Sequence, residues 1–163
     1  TARALADVVE HCPRLRSLTL RDARVQDEAI IPVVNCKCLR SLELSENEIT
    51  DAAVGLLAKL PELETLCLER TSITGECFDK LAKMKNLRIL AVPQCPIGDD
   101  QLAKLADSES LEMLFLADTN ITDASVQHLA RMKRLNTLSI GGAKITAEGR
   151  EQLRRLRPDI TLF

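Results

Sequence analysis

The feature that most constrains the fold of this chain is an internal repeat with a constant period of 24 residues. Segments of the form Leu-x-x-Leu recur along the sequence, and no insertion separates them. Six of these segments begin at Leu15, Leu39, Leu63, Leu87, Leu111 and Leu135. A partial seventh unit, DITLF, carries Leu162 in the same register. Because repeats of about 20 to 50 residues are typical of solenoid folds, the period predicts a single elongated domain of stacked units.

Within each repeat the spacing of the apolar residues changes from two residues to a helical period. If the first leucine is position 1, positions 4 and 6 are apolar in every unit, as in Leu114 and Leu116. This alternation predicts a short strand with one buried face. Positions 16, 19, 20 and 22 then follow at helical spacing, as in residues 126–132. Each repeat is therefore predicted to form a strand, a turn, a short helix and a return loop.

The predicted helices share a start signal at positions 12 and 13. Thr followed by Asp occurs there in several repeats, for example at Thr50 and Asp51. These side chains accept hydrogen bonds from the free N–H groups at a helix N-terminus. The helices are predicted at 51–60, 75–84, 99–107, 123–132 and 147–156, with a poorer one at 28–35 that Pro32 interrupts.

The pattern LxxLxLxx(T/N)x(I/V)(T/G)D resembles that of leucine-rich repeat proteins over nearly the whole chain. The turn sequence ITDA, at 49–52 and 121–124, is similar to the 24-residue repeats of bacterial and protozoan members. The segment HCPRLRSLTL resembles the repeats of F-box ubiquitin-ligase subunits. The resemblance implies an α/β fold: a right-handed leucine-rich repeat solenoid, curved into an arc, with a parallel β-sheet on the concave face and short helices on the convex face.

The resemblance also implies a role for position 9. In this family, that side chain hydrogen-bonds the loop backbone of the adjoining turns, and here it is Asn47, Thr71 or Thr119. Three repeats depart from the pattern, and their turns are expected to be looser: Ala23, Cys95 and Ala143.

The repeats predict a single leucine-rich repeat domain over residues 1–163, with repeats starting at 15, 39, 63, 87, 111 and 135. Residues 1–14 are predicted to be the helix of a truncated preceding repeat. Residues 158–163 are predicted to form a closing strand, with Phe163 covering the end of the core. The edge of the first strand is open to pairing with a second chain, so both a monomer and a dimer through the open N-terminal edge are compatible with the sequence.

Composition argues against several classes of partner. The net charge is -2, and the chain has three Phe but no Tyr or Trp. It therefore lacks the basic surface and stacking aromatics that nucleic-acid binding requires. No apolar segment approaches the roughly 18 residues that a membrane span needs. No glycine-rich phosphate loop is present, and no cofactor is expected.

Catalytic and metal sites are not expected either. His11 and His128 are nearly five repeats apart, which corresponds to about 20 Å or more at about 4.8 Å per strand. No Ser/His/Asp set can be assembled, so the chain is predicted not to be an enzyme. Cys12 and Cys36 are interpreted as small buried apolar residues. A disulfide between them is the next interpretation, and a zinc site that includes Cys38 is the least favoured.

The outward positions of the strands form a candidate binding face. Positions 3 and 5 of each repeat point away from the helices. In the third, fourth and fifth repeats, all but one of these positions carry an apolar or weakly polar side chain, and the exception is a threonine. The candidate apolar residues are Cys67, Ile89, Ala91, Met113 and Phe115. Charged candidates border them: Glu43 at position 5, and Arg40, Glu64, Arg88 and Glu112 at position 2. An apolar centre with a charged rim is typical of protein interfaces, although neutral surface or cover by an upstream domain stays an alternative.

The sequence therefore predicts a non-enzymatic interaction module that binds a protein or peptide on its concave face. One alternative is the substrate-recognition arm of a ubiquitin ligase, or of another multidomain enzyme whose catalytic part lies outside this chain. The other is a secreted or surface receptor domain. An intracellular, cytoplasmic location is favoured because a domain of 163 residues does not need disulfides, while the glycosylation sequon at Asn120 keeps the secreted alternative open.

Overall fold

The computed structural model describes residues 2–163 and contains a seven-stranded parallel sheet. The strands follow one another in sequence order, and each pairs with the residue of the next repeat at the same position, as Leu90 does with Leu114. The strands are β1 (Ser17–Thr19), β2 (Ser41–Glu43), β3 (Thr65–Cys67), β4 (Ile89–Ala91), β5 (Met113–Phe115), β6 (Thr137–Ser139) and β7 (Thr161–Leu162). With short helices between the strands, this is the predicted α/β solenoid arc.

The helices alternate with the strands on one side of the sheet. They are α1 (Ala2–His11), α2 (Asp27–Ile30), α3 (Asp51–Leu57), α4 (Phe78–Leu81), α5 (Asp99–Leu105), α6 (Val126–Arg131) and α7 (Ala147–Leu156). Short 3-10 turns lie at Pro32–Asn35 and Asp123–Ser125. Residue 1 of the helix predicted at 1–14 lies outside the described residues.

Two predicted helices depart most from expectation, while those predicted at 51–60 and 99–107 end early, at Leu57 and Leu105. The prediction of a helix over 75–84 is wrong, because only α4 is helical and Gly75 has a φ of 91°, outside the right-handed helical region. The segment predicted at 28–35 is divided into α2 and a 3-10 turn. The division falls at Pro32, which has no N–H to donate to a preceding carbonyl.

The core is a column of repeated apolar side chains between the sheet and the helices. The leucines at position 4, such as Leu114, and the residues at position 11, such as Ile121, are fully buried through the interior repeats. Cys36 is buried as predicted, but Cys12 is exposed, because it belongs to the terminal turn and no earlier repeat of residues 2–163 stacks on it. All six cysteines of the chain are free thiols in the described structure.

The C-terminal end of the core is not covered in the predicted way. The side chain of Phe163 is 66% exposed, although its backbone continues the pairing of β7 with β6. Arg157 closes this end of the solenoid. Its guanidinium donates to the carbonyl oxygens of Met132 at 2.7 Å and Leu135 at 2.8 Å, and it is held by Asp159 at 2.7 Å.

Position 9 connects neighbouring turns in fewer repeats than the family resemblance implies. The side chain of Asn47 accepts from the backbone N–H groups of Ala23 and Val25 and donates to the carbonyl of Leu20, so it joins two repeats. The expectation is wrong for the threonines, because Thr71 and Thr119 donate to carbonyls of their own repeats. Cys95, which departs from the pattern, donates its thiol to the carbonyl of Leu68 in the preceding repeat at 3.1 Å, so the expectation of an unconnected, looser turn is wrong there.

A second ladder connects the repeats on the side where the helices begin. The Asp at position 13 of one repeat bonds the Thr at position 12 of the next. Asp99, for example, accepts from the backbone N–H of Thr122 at 2.9 Å and from its hydroxyl at 2.8 Å. This Asp–Thr ladder consists of the pairs Asp27–Thr50, Asp51–Thr74, Asp99–Thr122 and Asp123–Thr146. The sequence predicts that each of these aspartates accepts hydrogen bonds from N–H groups of its own helix. In the structure each one accepts hydrogen bonds from the next repeat.

The Asp–Thr ladder is interrupted between repeats 3 and 4. Both partners of the missing pair are glycines, since Gly75 occupies position 13 of repeat 3 and Gly98 occupies position 12 of repeat 4. The exposed side chain of Glu76 bonds Gln101 at 2.9 Å and also Lys104, and these contacts connect the two repeats there. Exposed ion pairs contribute little to stability, so this junction has the weakest polar connection in the helix-side ladder.

The ladder predicts how stability responds to acid. Burial alone would raise the pKa of the Asp51 and Asp99 carboxyls, but the hydrogen bonds from the next repeat outweigh it and lower both pKa values. A lowered pKa in the folded state stabilises the fold above the ordinary Asp pKa of about 4, and this contribution is lost as the pH falls through the folded-state pKa. We expect Asp99→Asn to lower the free energy of unfolding by about 1–2 kcal/mol at pH 7, and by less at pH 3.

Urea denaturation at several pH values measures this effect. The matched control is Asp100→Asn, since Asp100 is the exposed neighbour of Asp99. The control should follow the wild-type pH profile. If Asp99→Asn also follows it, the carboxylate does not contribute as the ladder implies.

Candidate binding face on the concave side

The five apolar candidates lie together on the outward face of three adjacent strands. Strand pairing places Ile89 beside Met113 and Ala91 beside Phe115, and Cys67 lies next to Ala91 on the other side. Each of the five is half-buried, whereas the leucines that alternate with them are fully buried on the helix side. We call these five residues the apolar cluster. None of them is enclosed in the core.

A shallow depression of about 200 Å³ continues from the apolar cluster towards the carboxyl ends of the strands. It is lined by Arg21, Glu43, Ser45, Cys67, Glu69, Ala91, Pro93 and Phe115. Sequence reasoning missed Ser45 and Pro93, which sit at position 7, one residue beyond the predicted strand. The outward alternation of positions 3 and 5 continues to position 7, and this period would have identified them.

The charged residues at position 2 form ion pairs along the other edge of the face. Arg40 bonds Glu64 at 3.1 Å, and Arg88 bonds Glu112 at 2.6 Å. The hydrogen bond from Arg88 lowers the pKa of Glu112, so this carboxylate is ionised at neutral pH. The four candidates of this margin therefore neutralise one another in pairs, and they border the apolar cluster without contributing a net charge.

The opposite edge holds a second group of ion pairs around Glu46, which is also within 3.9 Å of Arg70. The guanidinium of Arg21 bonds the carboxylates of Glu46 at 2.5 Å and Glu69 at 3.1 Å, and so connects three repeats. Glu43 lies beside this group on β2, but it takes part in no ion pair within residues 2–163. Its carboxylate instead accepts from the backbone N–H of Ser45 at 2.7 Å, and it lies beside the thiol of Cys67.

The thiol of Cys67 is poorly suited to act as a nucleophile. Burial raises its pKa, and the neighbouring Glu43 carboxylate raises it further, to about 11. At neutral pH the group is therefore almost entirely the uncharged thiol, and it counts as part of the apolar surface.

The histidines and the remaining acidic groups do not assemble into a site. His11 lies at the end of α1, and His128 lies in α6. Among residues 2–163, no group of three or more His, Cys, Asp or Glu side chains is arranged to hold a metal ion. No helix in this part of the chain is long and apolar enough to cross a membrane.

Comparisons with known proteins agree with this architecture. A family model for the leucine rich repeat matches residues 35–58. No curated protein sequence shows a significant match. Among solved structures, an internalin (inlF) from Listeria monocytogenes is similar over 80% of this chain, with 25% identity and a TM-score of 0.62. A leucine-rich repeat protein of Leptospira interrogans is similar over 95%, with 23% identity and a TM-score of 0.69.

A third structure, internalin C2 of Listeria monocytogenes, covers 98% of this chain with 21% identity and a TM-score of 0.56. The chain covers 92% of that protein, but only 36% and 39% of the first two. The matching segment and these structures, together with the seven stacked parallel strands, show a leucine-rich repeat fold. This fold supports protein–protein interaction in general.

The environment of Cys67 predicts its reactivity. The rise in pKa from 9.0 to about 11 reduces the thiolate fraction at pH 7.5 about a hundredfold, and the greater nucleophilicity of the remaining thiolate recovers part of this. We expect iodoacetamide to modify Cys67 about tenfold more slowly than the exposed Cys38, as followed by mass spectrometry of peptides. Glu43→Gln should accelerate the reaction at Cys67 alone. Equal rates for Cys67 and Cys38 would contradict the assignment.

Proposed function

We propose that this chain is a non-enzymatic interaction module that binds a protein or peptide on the concave face of its sheet. The observation that supports the proposal is the apolar cluster, which lies on three adjacent strands and is not covered by any element of the described structure. Parallel sheets are normally covered on both faces, because their strands are apolar on both sides. Here the helices cover one face, and the apolar cluster is the part of the other face that gains most from a partner.

The surroundings of the apolar cluster fit this role. One charged margin is formed by the pairs Arg40–Glu64 and Arg88–Glu112, in which the arginines are exposed and the glutamates are half-buried. A partner can therefore cover the cluster while these four charges stay paired at its edge, so binding does not require that they lose their ion pairs. Repeat solenoids commonly bind through such a concave surface.

The same geometry supports a non-catalytic role for these residues. A nucleophile requires a nearby base or a lowered pKa, and the one thiol of the concave depression has a raised pKa. Because the chain spans less than two fifths of the first two similar structures, the proposal concerns this repeat domain. In a larger enzyme, the same face would bind the substrate and bring it to a catalytic domain elsewhere.

Substitutions on the apolar cluster should reduce binding without destabilising the fold. We expect Phe115→Ala and Met113→Glu each to weaken retention of the bound protein about tenfold or more, because large central side chains contribute most to interfaces. The measurement is quantitative affinity capture with mass spectrometry. The melting temperatures should stay within about 2–3 °C of the wild type, since surface substitutions change stability by about 0.5 kcal/mol.

Two control variants separate binding from stability. Leu114→Ala removes a fully buried side chain between the two test positions and should cost about 2–5 kcal/mol of folding free energy. Gln127→Ala alters an exposed residue of α6 on the helix side and should change neither property. The proposal fails if Phe115→Ala and Met113→Glu retain the same proteins as the wild type.

A further inference from the structure

Glu43 is the only charged side chain at the outward strand positions 3 and 5 of the six repeats. It is half-buried, and no cation of residues 2–163 forms an ion pair with it. Arg21, the cation that lines the same depression, is already bonded to Glu46 and Glu69. The depression therefore holds a carboxylate whose charge the described part of the chain does not balance.

The other end of the depression is apolar. Ala91 has the smallest side chain of the apolar cluster, so space is open above it, and Pro93 and Phe115 form the wall of this space. The Cys67 thiol separates this space from Glu43 and is uncharged at neutral pH. A single depression thus offers an acidic end on β2 and an apolar end on β4 and β5.

The separation of the two ends sets the spacing of a ligand. From β2 to β4 is two strand spacings, or about 10 Å. In an extended peptide, residues i and i+2 lie on one side about 7 Å apart, and the flexible stem of a lysine or arginine covers the remaining distance. A basic residue and a large apolar residue at i and i+2 would therefore reach both ends together.

From this geometry we propose that the concave depression recognises an extended segment of a protein partner in which a lysine or arginine lies two residues from a large apolar side chain. The basic group pairs with Glu43, and the apolar side chain packs over Ala91 against Phe115. This inference rests on the function proposed above and specifies the chemistry of the partner at that face.

Charge also excludes the opposite type of ligand. Two glutamates, Glu43 and Glu69, line one end of the depression, and Arg21 bonds Glu69. Arg21 also bonds Glu46, which pairs with Arg70 at 3.9 Å, so Glu43 is the carboxylate of this group without a cation. An acidic peptide would have to displace one of these carboxylates from Arg21 and would also be repelled by Glu43. A cation placed near Glu43 balances the negative charge of this carboxylate. The low polarity of the surroundings strengthens the attraction between the two charges.

Selection from a displayed library of random twelve-residue peptides tests the inference. Peptides enriched on the wild type should carry Lys or Arg two residues from Leu, Ile, Met or Phe. A synthetic peptide from this set should bind Glu43→Gln about tenfold or more weakly than the wild type, as measured by fluorescence anisotropy. Gln keeps an oxygen that accepts from the Ser45 N–H, so this variant should fold.

The matched control is Glu64→Gln, since Glu64 belongs to the paired margin and not to the depression. The affinity of the same peptide for this variant should stay within about twofold of the wild type. Charge reversal gives a second readout that a structural role would not produce. On Glu43→Lys, selection should enrich Asp or Glu at the place of the basic residue.

The outcomes separate this inference from the function on which it rests. If enriched peptides need Phe115 but have no basic residue and bind Glu43→Gln normally, the inference is overturned and the binding face stands. If they bind Phe115→Ala as tightly as the wild type, the apolar cluster is not the binding face, and both proposals fail. If no peptide is enriched above background, recognition of an extended segment is also overturned.

Discussion

The structure depends on stacking in register. A single repeat has a three-residue strand and a helix of one to three turns, which cannot enclose its own leucines. Those leucines become fully buried only because the next repeat covers them, and Leu90 of one strand therefore lies against Leu114 of the next. The half-buried Leu18 of β1 and Leu20 just after it illustrate the same rule, since no strand of the described chain lies on their outer side. Stability in such a fold is approximately the sum of the repeats and their interfaces.

The polar contacts follow from this stacking. Because equivalent residues of adjacent repeats are neighbours, an Asp in one turn reaches the Thr of the next, and the same contact recurs along the solenoid. At the interruption, Gly75 stands in place of the Asp and Gly98 in place of the Thr. Because both partners are absent together, no carboxylate in this turn lacks its hydrogen-bond donor. On the outward face, equivalent positions of adjacent repeats are also neighbours. Apolar residues that are 24 positions apart in sequence become a continuous surface, and the charges around them become ion pairs.

Much of the architecture could be predicted from the sequence because it depends on periodicity. The strands, the inward leucines and the side of the sheet that carries Met113 and Phe115 all follow from the spacing of apolar residues. The extent of α4 could not be predicted in this way, since it depends on the backbone conformation of Gly75. The Thr-Asp pattern predicts that the aspartates of the turns bond their own helices, because the sequence does not show that the next repeat brings closer donors. The prediction that Phe163 covers the end of the core is wrong for a related reason. An apolar side chain at the end of the last strand has no following repeat in the described structure to bury it, and the sequence does not show which way it turns.

The constant period is sufficient to specify the repeating unit, its in-register stacking and the residue types on each face, because stacking in register buries the leucines of every repeat. Which charges neutralise one another depends on the folded arrangement of the repeats. Arg21 reaches carboxylates one and two repeats away, Arg88 pairs with Glu112, and Glu43 is left beside the Cys67 thiol. Side-chain pairing depends on distances of a few ångströms and on the direction of each side chain. A one-dimensional pattern does not contain that information.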